Sequence, residues 1–234
     1  MHKRNSKEEI IRTFYQDVFN RHYHSGGLQQ LGQVWASKAL EKSFKNDTPR
    51  KVLEIGGGEG QHLPFVRTPP ELVYISCDIR EIDINTSELS LTNELKDVLQ
   101  FRKEDIENLS FSNESFDRIL GTCVLHHLNN PLAGLMEVRR VAKVGAEISF
   151  VLPTDPGILN RLIKRFFTFK KLRKKSDIPP EVFYALDHQN HVHSIIEIFK
   201  FVFKNDSVRM RYLPFEVKSW NFNLLVVITA TKKV

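Results

Sequence analysis

The chain has 234 residues, of which 41% are hydrophobic and 26% are charged, and its formal net charge is +6. This length allows one domain with a substantial core, and the composition is ordinary for a soluble globular protein. Apolar runs stay well below the ~20 residues of a membrane-spanning helix. The first residues are charged and lack the apolar stretch of a signal peptide. We therefore expect a cytoplasmic protein without a membrane span.

Two helices are expected at the N-terminus. Apolar residues recur at helical spacing over residues 8–23, which predicts the first helix. Residues 25–27, Ser-Gly-Gly, end this helix, and residues 28–44 are predicted to form the second. We interpret His22 and His24 as partners of the dipole at the end of the first helix and not as ligands.

The most informative stretch covers residues 51–60. Residues 51–55 are mostly apolar or β-branched and predict a buried strand. Glycines follow at the alternate positions 56, 58 and 60, where the missing Cβ lets the backbone turn sharply and approach a ligand. Residues 61–66 are predicted to open a helix whose free N–H groups face the loop. This order of elements predicts a site for a nucleotide-like cofactor.

The acids around the loop indicate which cofactor it takes. The third glycine position of the dinucleotide motif G-x-G-x-x-G falls on Gln61, and Glu54 would repel a pyrophosphate. Glu54 suits a cationic ligand, and S-adenosylmethionine carries an ammonium and a sulfonium group. Asp78, which ends the next predicted strand at residues 72–77, is expected to accept both ribose hydroxyls. A site for NAD and a purely structural tight turn are the alternatives.

The remaining elements predict an α/β fold. Further strands are expected at residues 98–102, 116–121 and 146–152, with helices between them, which implies a mostly parallel sheet covered on both faces. Residues 81–96 are predicted to be a loop with one helical segment. An insertion follows Pro153, and residues 207–213 and 224–231 are expected to close the sheet as an antiparallel pair.

Several motifs occur in order between positions 51 and 153. They are V-L-E-I-G-G-G-E-G at 52–60, Y-I-S-C-D at 74–78, E-D-I-E-N-L-S-F at 104–111, S-F-D-R-I-L followed by V-L-H-H-L between 115 and 128, and a helix and turn at 135–145. Together they resemble the class I S-adenosylmethionine-dependent methyltransferases of the small ubiquinone/menaquinone type. The resemblance implies a Rossmann-like fold with a seven-stranded, mostly parallel sheet, helices on both faces, and the last two strands as an antiparallel pair.

The resemblance also implies S-adenosyl-L-methionine as cofactor and S-adenosyl-L-homocysteine as product. It places the cofactor contacts on Glu54, Gly56, Gly57, Gly58, Gly60, Gln61, His62, Asp78, Ile79, Asp105, Ile106 and Thr122. Ile106 replaces the alanine that is usual beside the adenine. A single domain is expected, with a helical cap at 1–46, a cofactor-binding core at 47–153, a substrate-side insertion and helix at 154–204, and C-terminal strands at 205–234.

Two groups of histidines are candidates for the general base that a hydroxyl acceptor needs. His126 and His127 follow the fourth predicted strand, where they act either as a base or as a cap of the strand end. The second group closes the insertion and consists of Asp187, His188, His191 and His193. We predict His191 as the base and His188 as the second choice, with Asp187 fixing the ring tautomer. Loop packing and a metal held by His191 and His193 are the alternatives, and no metal is expected.

Arg161 and Lys175 bound a stretch that holds eight Lys or Arg and no acid, interleaved with Phe166, Phe167 and Phe169. The solvated face of an amphipathic helix explains it, and so do a phosphorylated acceptor, peripheral contact with an anionic membrane, and nucleic acid. Because no RNA-binding module accompanies the stretch, nucleic acid is the least favoured partner.

Cys77 and Cys123 fall near the ends of the second and fourth strands. The first strand separates these two in the resembled fold, so the cysteines lie ~10 Å apart, beyond disulfide reach. Both are predicted to be reduced, in agreement with a cytoplasmic protein.

The favoured function is methylation of a small-molecule acceptor, with O-methylation of a sugar or of a phosphorylated, nucleotide-linked or lipid-linked glycan precursor as its specific form. The D-H-Q-N-H pattern at 187–191 and the segment after it are similar to methyltransferases of bacterial surface-polysaccharide pathways. An RNA methyltransferase, another N- or C-methyltransferase and a non-catalytic binding protein are the alternatives. The sequence leaves the oligomeric state open.

Overall fold

A computed structural model of the chain describes residues 6–14, 28–45, 48–67, 71–81, 89–173 and 177–234, without the side chains of positions 28, 29 and 171. Several predicted features lie outside these residues. They are the second half of the N-terminal helix, His22, His24, the Ser-Gly-Gly at 25–27, part of the 81–96 loop, and the basic residues Lys174 and Lys175.

Seven strands form one twisted sheet. They are β1 (Lys51–Ile55), β2 (Val73–Asp78), β3 (Leu99–Lys103), β4 (Phe116–Thr122), β5 (Ala142–Pro153), β6 (Ser207–Leu213) and β7 (Leu225–Thr231). Their order is β3-β2-β1-β4-β5-β7-β6. Neighbouring strands from β3 to β5 are parallel, whereas β7 is antiparallel to both β5 and β6. The predicted fold class is confirmed, including the antiparallel pair at the end of the chain.

Helices cover both faces of the sheet. They are α1 (Lys7–Phe14), α2 (Leu28–Ser43), α3 (Asn93–Val98), α4 (Pro131–Val141), α5 (Ile158–Ile163), α6 (Phe169–Leu172), α7 (Pro180–Asp187) and α8 (Val192–Val202). A π-helical turn, Lys164–Thr168, joins α5 to α6. Short 3-10 turns occur at Leu63–Phe65 and Leu125–His127. None of the helices in the described parts of the chain is long and apolar enough to cross a membrane.

The segment after the glycine loop differs from its prediction. Residues 61–66 form turns that end in the single 3-10 turn Leu63–Phe65, and no α-helix opens there. Proline occupies positions 64, 69 and 70. Because proline lacks a backbone N–H and disfavours helical geometry at the residue before it, a helix started at Gln61 has no room to extend.

The core lies on both faces of the sheet. On one face, α4 and α8 bury Leu135, Val138 and Phe199 against strand residues such as Ile119 and Ile148. On the other face, α2 buries its own apolar residues against β4, β5 and β7. A small separate cluster of Phe14, Leu172 and Phe183 joins α1, α6 and α7. Burial on both faces explains why the central strands are apolar without alternation.

A buried ion-pair network anchors α2 to the sheet. Arg118, on β4, is 1% exposed, and its Nη2 donates a hydrogen bond to Glu41 Oε1 on α2 over 2.6 Å. The same oxygen lies 3.1 Å from His62 Nε2, and the Phe44 ring centroid lies 3.9 Å from the guanidinium carbon. Burial alone would raise the pKa of Glu41, but His62 and Arg118 lower it to about 2. The network therefore ties α2 both to β4 and to the segment after the glycine loop.

Candidate active site

The glycine loop follows β1, and its backbone, without side chains, forms part of the wall of a cavity. Gly56 and Gly58 line this cavity and have φ angles of 66° and 51°. A Cβ on Gly56 would lie 2.6 Å from Val124 Cγ2, so any side chain there would collide with the segment after β4. The loop thus has the open backbone that a bound nucleoside needs.

Asp78 ends β2 beside the loop and also lines the cavity. Its Oδ2 accepts a hydrogen bond from the backbone N of Gly58 over 3.2 Å. Its Oδ1 accepts hydrogen bonds from the backbone N and the Nε of Arg80, each over 3.0 Å. These contacts fix the carboxylate at the loop, where it can accept hydrogen bonds from ribose hydroxyls.

Glu54 lies beneath the loop, away from the cavity wall. Its Oε2 accepts hydrogen bonds from Ser76 Oγ over 2.9 Å and from the Tyr74 hydroxyl over 3.4 Å. Burial raises the pKa of this carboxyl, with His62 as the main opposing charge. A Cβ on Gly57 would lie 2.0 Å from Ser76 Oγ and 3.2 Å from Glu54 Oε2. Glu54 therefore supports the loop from below, and its predicted contact with the cofactor stays a prediction.

Some of the other predicted cofactor residues line the cavity and others do not. Gly57, Gly60 and His62 lie behind the cavity wall, and the ring of His62 is engaged by Glu41. The remaining ones line the cavity: Gln61, Ile79, Asp105, Ile106 and Thr122. Thr122 Oγ1 is buried and has no hydrogen-bond partner in the part of the chain that is described.

The cavity has a volume of about 1000 Å³ and lies at the carboxyl ends of the parallel strands, where ligands bind in open α/β sheets. This volume is at the upper end of ordinary ligand pockets, which leaves space for an acceptor beside a cofactor. The N-terminal helices and the insertion supply the other walls, as predicted. Their apolar contributions are Ile11, Trp35, Ile163, Phe183 and Tyr184.

Three histidines meet at one wall of this cavity. His126 and His127 lie in the turn after β4, and His188 follows α7. The ring centroid of His126 lies 4.0 Å from that of His127 and 4.3 Å from that of His188. The sequence analysis treated the segment after β4 and the insertion as alternative sources of the base. In the structure, both contribute histidines to one cluster.

Asp187 connects the two sources. Its Oδ2 lies 3.3 Å from His127 Nδ1, and its backbone O lies 3.3 Å from the same nitrogen. Because both of these neighbours are hydrogen-bond acceptors, the neutral ring of His127 carries its proton on Nδ1. The lone pair is then on Nε2, where it is available to accept a proton. His127 and Asp187 together have the arrangement of an oriented general base.

A second carboxylate and a lysine hold His188. Asp155 Oδ2 lies 3.4 Å from His188 Nδ1 and forms an ion pair with Lys164 Nζ. The Tyr184 ring contacts both side chains: its centroid lies 4.2 Å from Lys164 Nζ and 4.8 Å from the His188 ring centroid. Asp155, Lys164 and Tyr184 were not predicted as site residues. Asp155 could have been found, because it stands two residues after β5, at the carboxyl end of a parallel strand.

Burial keeps two of these rings neutral. It lowers the pKa of His126 strongly, and the neighbouring His127 adds to this effect. Burial also lowers the pKa of His188, although Asp155 opposes the shift. Burial alone would raise the pKa of Asp155, but His188 and Lys164 lower it to about 2. At neutral pH His126 and His188 are therefore uncharged, and the carboxylate of Asp155 beside His188 is ionised.

His191, the first choice for the base, is exposed at the start of α8 and does not line the cavity. His193 is also exposed, one residue into that helix. The strand-like geometry that a metal on His191 and His193 requires is therefore absent. The sequence missed this because it did not show that α8 begins at Val192, which directs the two histidines outward.

The histidine cluster at the cavity is the other place where a metal could bind. His126, His127 and His188 each offer a nitrogen, and these atoms lie within 4.8 Å of one another. A tetrahedral ion with bonds of about 2.1 Å holds its ligand nitrogens roughly 3.4 Å apart, so the rings would have to move closer together. The Lys164 ammonium next to Asp155 also opposes a second cation. That the protein works without a metal stays a prediction.

Cys77 and Cys123 are both free thiols, as predicted. Burial raises the pKa of Cys77, and it raises that of Cys123 to about 12. Cys123 lines the cavity but stays protonated at neutral pH, so it is not poised as a nucleophile.

Known proteins with similar sequences are methyltransferases. Residues 53–150 match a family model described as a methyltransferase domain. The chain is 26% identical to a demethylmenaquinone methyltransferase of Bacteroides fragilis over 240 residues, which cover 97% of this chain and 94% of that protein. It is also 26% identical to the ubiquinone/menaquinone biosynthesis C-methyltransferase UbiE of Coxiella burnetii over 65% of this chain and 62% of that protein.

Solved structures show the same fold at low sequence identity. The plantazolicin methyltransferase BpumL, in complex with a desmethylPZN analogue and S-adenosylhomocysteine, is 16% identical, with a TM-score of 0.62 over 97% of this chain and 95% of that chain. A methyltransferase from Thermotoga maritima, described as a possible histamine N-methyltransferase, is 17% identical, with a TM-score of 0.59 over 96% of this chain and 99% of that chain.

The fold, the cavity and these matches identify an S-adenosylmethionine-dependent methyltransferase. More particularly, it has the Rossmann-like fold of the class I enzymes and is similar in sequence to menaquinone and ubiquinone methyltransferases, and its cofactor is S-adenosylmethionine. The residues present fit this cofactor. Gly56 and Gly58 bring open backbone to the cavity, and the Asp78 carboxylate is fixed at the loop, where it can accept hydrogen bonds from a ribose. Thr122 Oγ1 is a buried polar atom without a partner in the described chain.

Proposed function

We propose that the protein methylates a hydroxylated aromatic acceptor of the hydroquinone class at a ring carbon, with His127 as general base and Asp187 as its orienting partner. The observation that carries this proposal is the 3.3 Å contact of His127 Nδ1 with Asp187 Oδ2 at the wall of the cavity that Gly56 and Gly58 also line. A base so oriented can take a proton from an acceptor that shares the cavity with the cofactor.

The chemistry follows from this arrangement. S-adenosylmethionine supplies an electrophilic methyl group on its sulfonium. His127 Nε2 takes the proton of the acceptor hydroxyl, and the carboxylate of Asp187 stabilises the imidazolium. The acceptor oxyanion makes the ortho ring carbon electron-rich, and this carbon forms the new C–C bond as the S–C bond breaks. The ring carbon then loses its hydrogen as a proton to solvent, while His127 returns its proton to the oxygen.

Two facts favour an aromatic acceptor. The names of the relatives refer to demethylmenaquinone and to quinone C-methylation. In addition, the cavity walls supplied by the helices include Trp35, Phe183 and Tyr184, which suit a flat apolar ring. The histidine cluster supplies polar groups in the same cavity, as expected where a hydroxyl must be recognised.

O-methylation of a sugar hydroxyl is the second candidate. Exposed Arg161 and Arg165 lie on the helical segment whose other residues line the cavity, and they would suit a phosphorylated or nucleotide-linked glycan precursor. His127 would have the same role, with the methyl group accepted by oxygen.

The test offers the purified protein S-adenosylmethionine with either a short-chain demethylmenaquinol or a set of nucleotide sugars, and locates the new methyl group by mass spectrometry and NMR. We expect a C-methylated hydroquinone. His127→Asn should lower kcat by about 10²–10⁴-fold with unchanged cofactor affinity, whereas the matched control His191→Asn should keep full activity. A methyl group on a sugar oxygen would establish the second candidate, and full activity of His127→Asn would exclude this residue as the base.

A further inference from the structure

Residues 158–172, which comprise α5, the π-helical turn and α6, have two different sides. One side faces the protein: Asn160, Ile163, Lys164 and Thr168 line the cavity, and Leu172 is 5% exposed. The other side carries large apolar residues in solvent. Phe166 and Phe167 are each 60% exposed, Ile158 is 52% exposed and Leu162 is 46% exposed.

The loop between β6 and β7 extends this exposed side. The backbone N of Leu159 donates a hydrogen bond to Asn221 O over 3.0 Å, so loop and helix run side by side at this point. The loop exposes three more apolar side chains, Phe215, Val217 and Phe222, each by more than half. We call these three residues, together with Ile158, Leu162, Phe166 and Phe167, the apolar surface.

The loop has a defined conformation although its tips are apolar and exposed. Asn223 is fully buried at its base, and its Nδ2 donates hydrogen bonds to Val217 O over 2.9 Å and Ser219 O over 2.8 Å. Its Oδ1 accepts a hydrogen bond from Phe215 N over 2.8 Å. The three hydrogen bonds of this buried side chain fix the loop backbone so that Phe215 and Val217 point into solvent. Packing in the protein core therefore does not explain why these two positions are apolar.

The charges beside this surface are positive. Arg161, Arg165 and Lys170 are exposed on the helical segment, and Lys218 is exposed on the loop. No acidic residue occurs between positions 157 and 176, and Glu216 is the acid of the loop. Exposed aromatic and aliphatic residues ringed by Lys and Arg are the combination that enters the interface of an anionic bilayer.

We propose that the apolar surface docks this enzyme on an anionic lipid bilayer. The same helical segment forms a wall of the cavity, so docking brings the cavity next to the membrane, where an acceptor with a lipid tail resides. The delivery of such an acceptor rests on the proposed function, whereas docking itself does not.

Docking is measured by co-sedimentation with vesicles of phosphatidylcholine alone or with one quarter phosphatidylglycerol. We expect binding that needs the anionic lipid and weakens as the salt concentration rises. Each basic residue at the lipid surface should contribute about fivefold to the affinity. The variant F166S/F167S should lose binding, and R161Q/R165Q should lose the preference for anionic lipid. The control F201S/K204Q changes an exposed Phe and a Lys on and just after α8 and should bind like the wild type.

Cofactor affinity should be unchanged in all these variants, which verifies that they are folded. Equal binding of wild type and F166S/F167S to anionic vesicles would overturn the proposal, and so would salt-sensitive binding to RNA without binding to vesicles. Because sedimentation needs no acceptor, vesicle binding without hydroquinone turnover would refute the proposed function and leave docking intact. If the proposed function is right, F166S/F167S should turn over a soluble short-chain hydroquinone normally.

Discussion

Replacing Glu41 with glutamine removes the counter-charge of a guanidinium that has almost no access to water. Arg118 and Glu41 expose only 1% and 2% of their side chains. Loss of one partner of such a pair leaves an uncompensated buried charge, at a cost of about 3–5 kcal/mol. In a chain of this size each kcal/mol corresponds to about 2–4 °C in Tm, so Glu41→Gln should lower Tm by roughly 6–20 °C.

Differential scanning calorimetry can decide this, with Glu71→Gln as the matched control. Glu71 pairs with Arg50 at 3.7 Å, but the two side chains are 57% and 66% exposed, and such a pair contributes below about 1 kcal/mol. The double variant Glu41→Leu/Arg118→Met should regain most of the lost stability, because it removes both charges. If Glu41→Gln melts at the same temperature as Glu71→Gln, the network does not anchor α2 and the reasoning fails.

Three further predictions concern the site. Asp78→Ala should weaken S-adenosylmethionine binding by about 10–100-fold through loss of a charge-assisted hydrogen bond, and unchanged affinity by calorimetric titration would contradict the assigned ribose contact. Stability should fall as pH decreases through about 6.5, the unperturbed histidine pKa, because the unfolded chain gains protons that the buried His126 and the half-buried His188, with their lowered pKa values, do not bind. Each ring adds up to about 1.4 kcal/mol per pH unit, and a Tm that is flat between pH 7 and 5 would argue against neutral buried rings. Dialysis against a strong chelator should leave kcat unchanged, and a loss restored by Zn²⁺ would instead make the three histidines metal ligands.

The strands and the cofactor loop were predictable because their signals are local. Residues 51–55 were predicted as a strand from apolar and β-branched residues alone, and β1 is Lys51–Ile55. Asp78 was expected at a strand end, and it ends β2 beside the glycine loop. In contrast, the helix predicted to open at residues 61–66 is wrong: Pro64 and the prolines at 69 and 70 limit this segment to turns.

The acceptor side of the site was harder to predict because its contacts are not local. His127 and Asp187 are 60 residues apart in sequence, and nothing in either segment indicates that they meet. The direction in which a histidine points depends on where α8 starts, and a few residues separate the half-buried His188 at the cavity from the exposed His191. Lys164 was counted as part of a basic stretch, yet it faces inward to Asp155.

The contact between His127 and Asp187 also has a consequence for how such enzymes diversify. His127 belongs to the cofactor-binding core, residues 47–153. The carboxylate that orients its ring, Asp187, belongs to the insertion, residues 154–204, which also forms walls of the cavity. Exchanging that segment between relatives would therefore transfer reactivity and selectivity as one unit. A chimaera that keeps residues 47–153 and receives the insertion of a relative should bind the cofactor normally. Its rate of methyl transfer and its choice of acceptor should follow the relative that supplied the insertion.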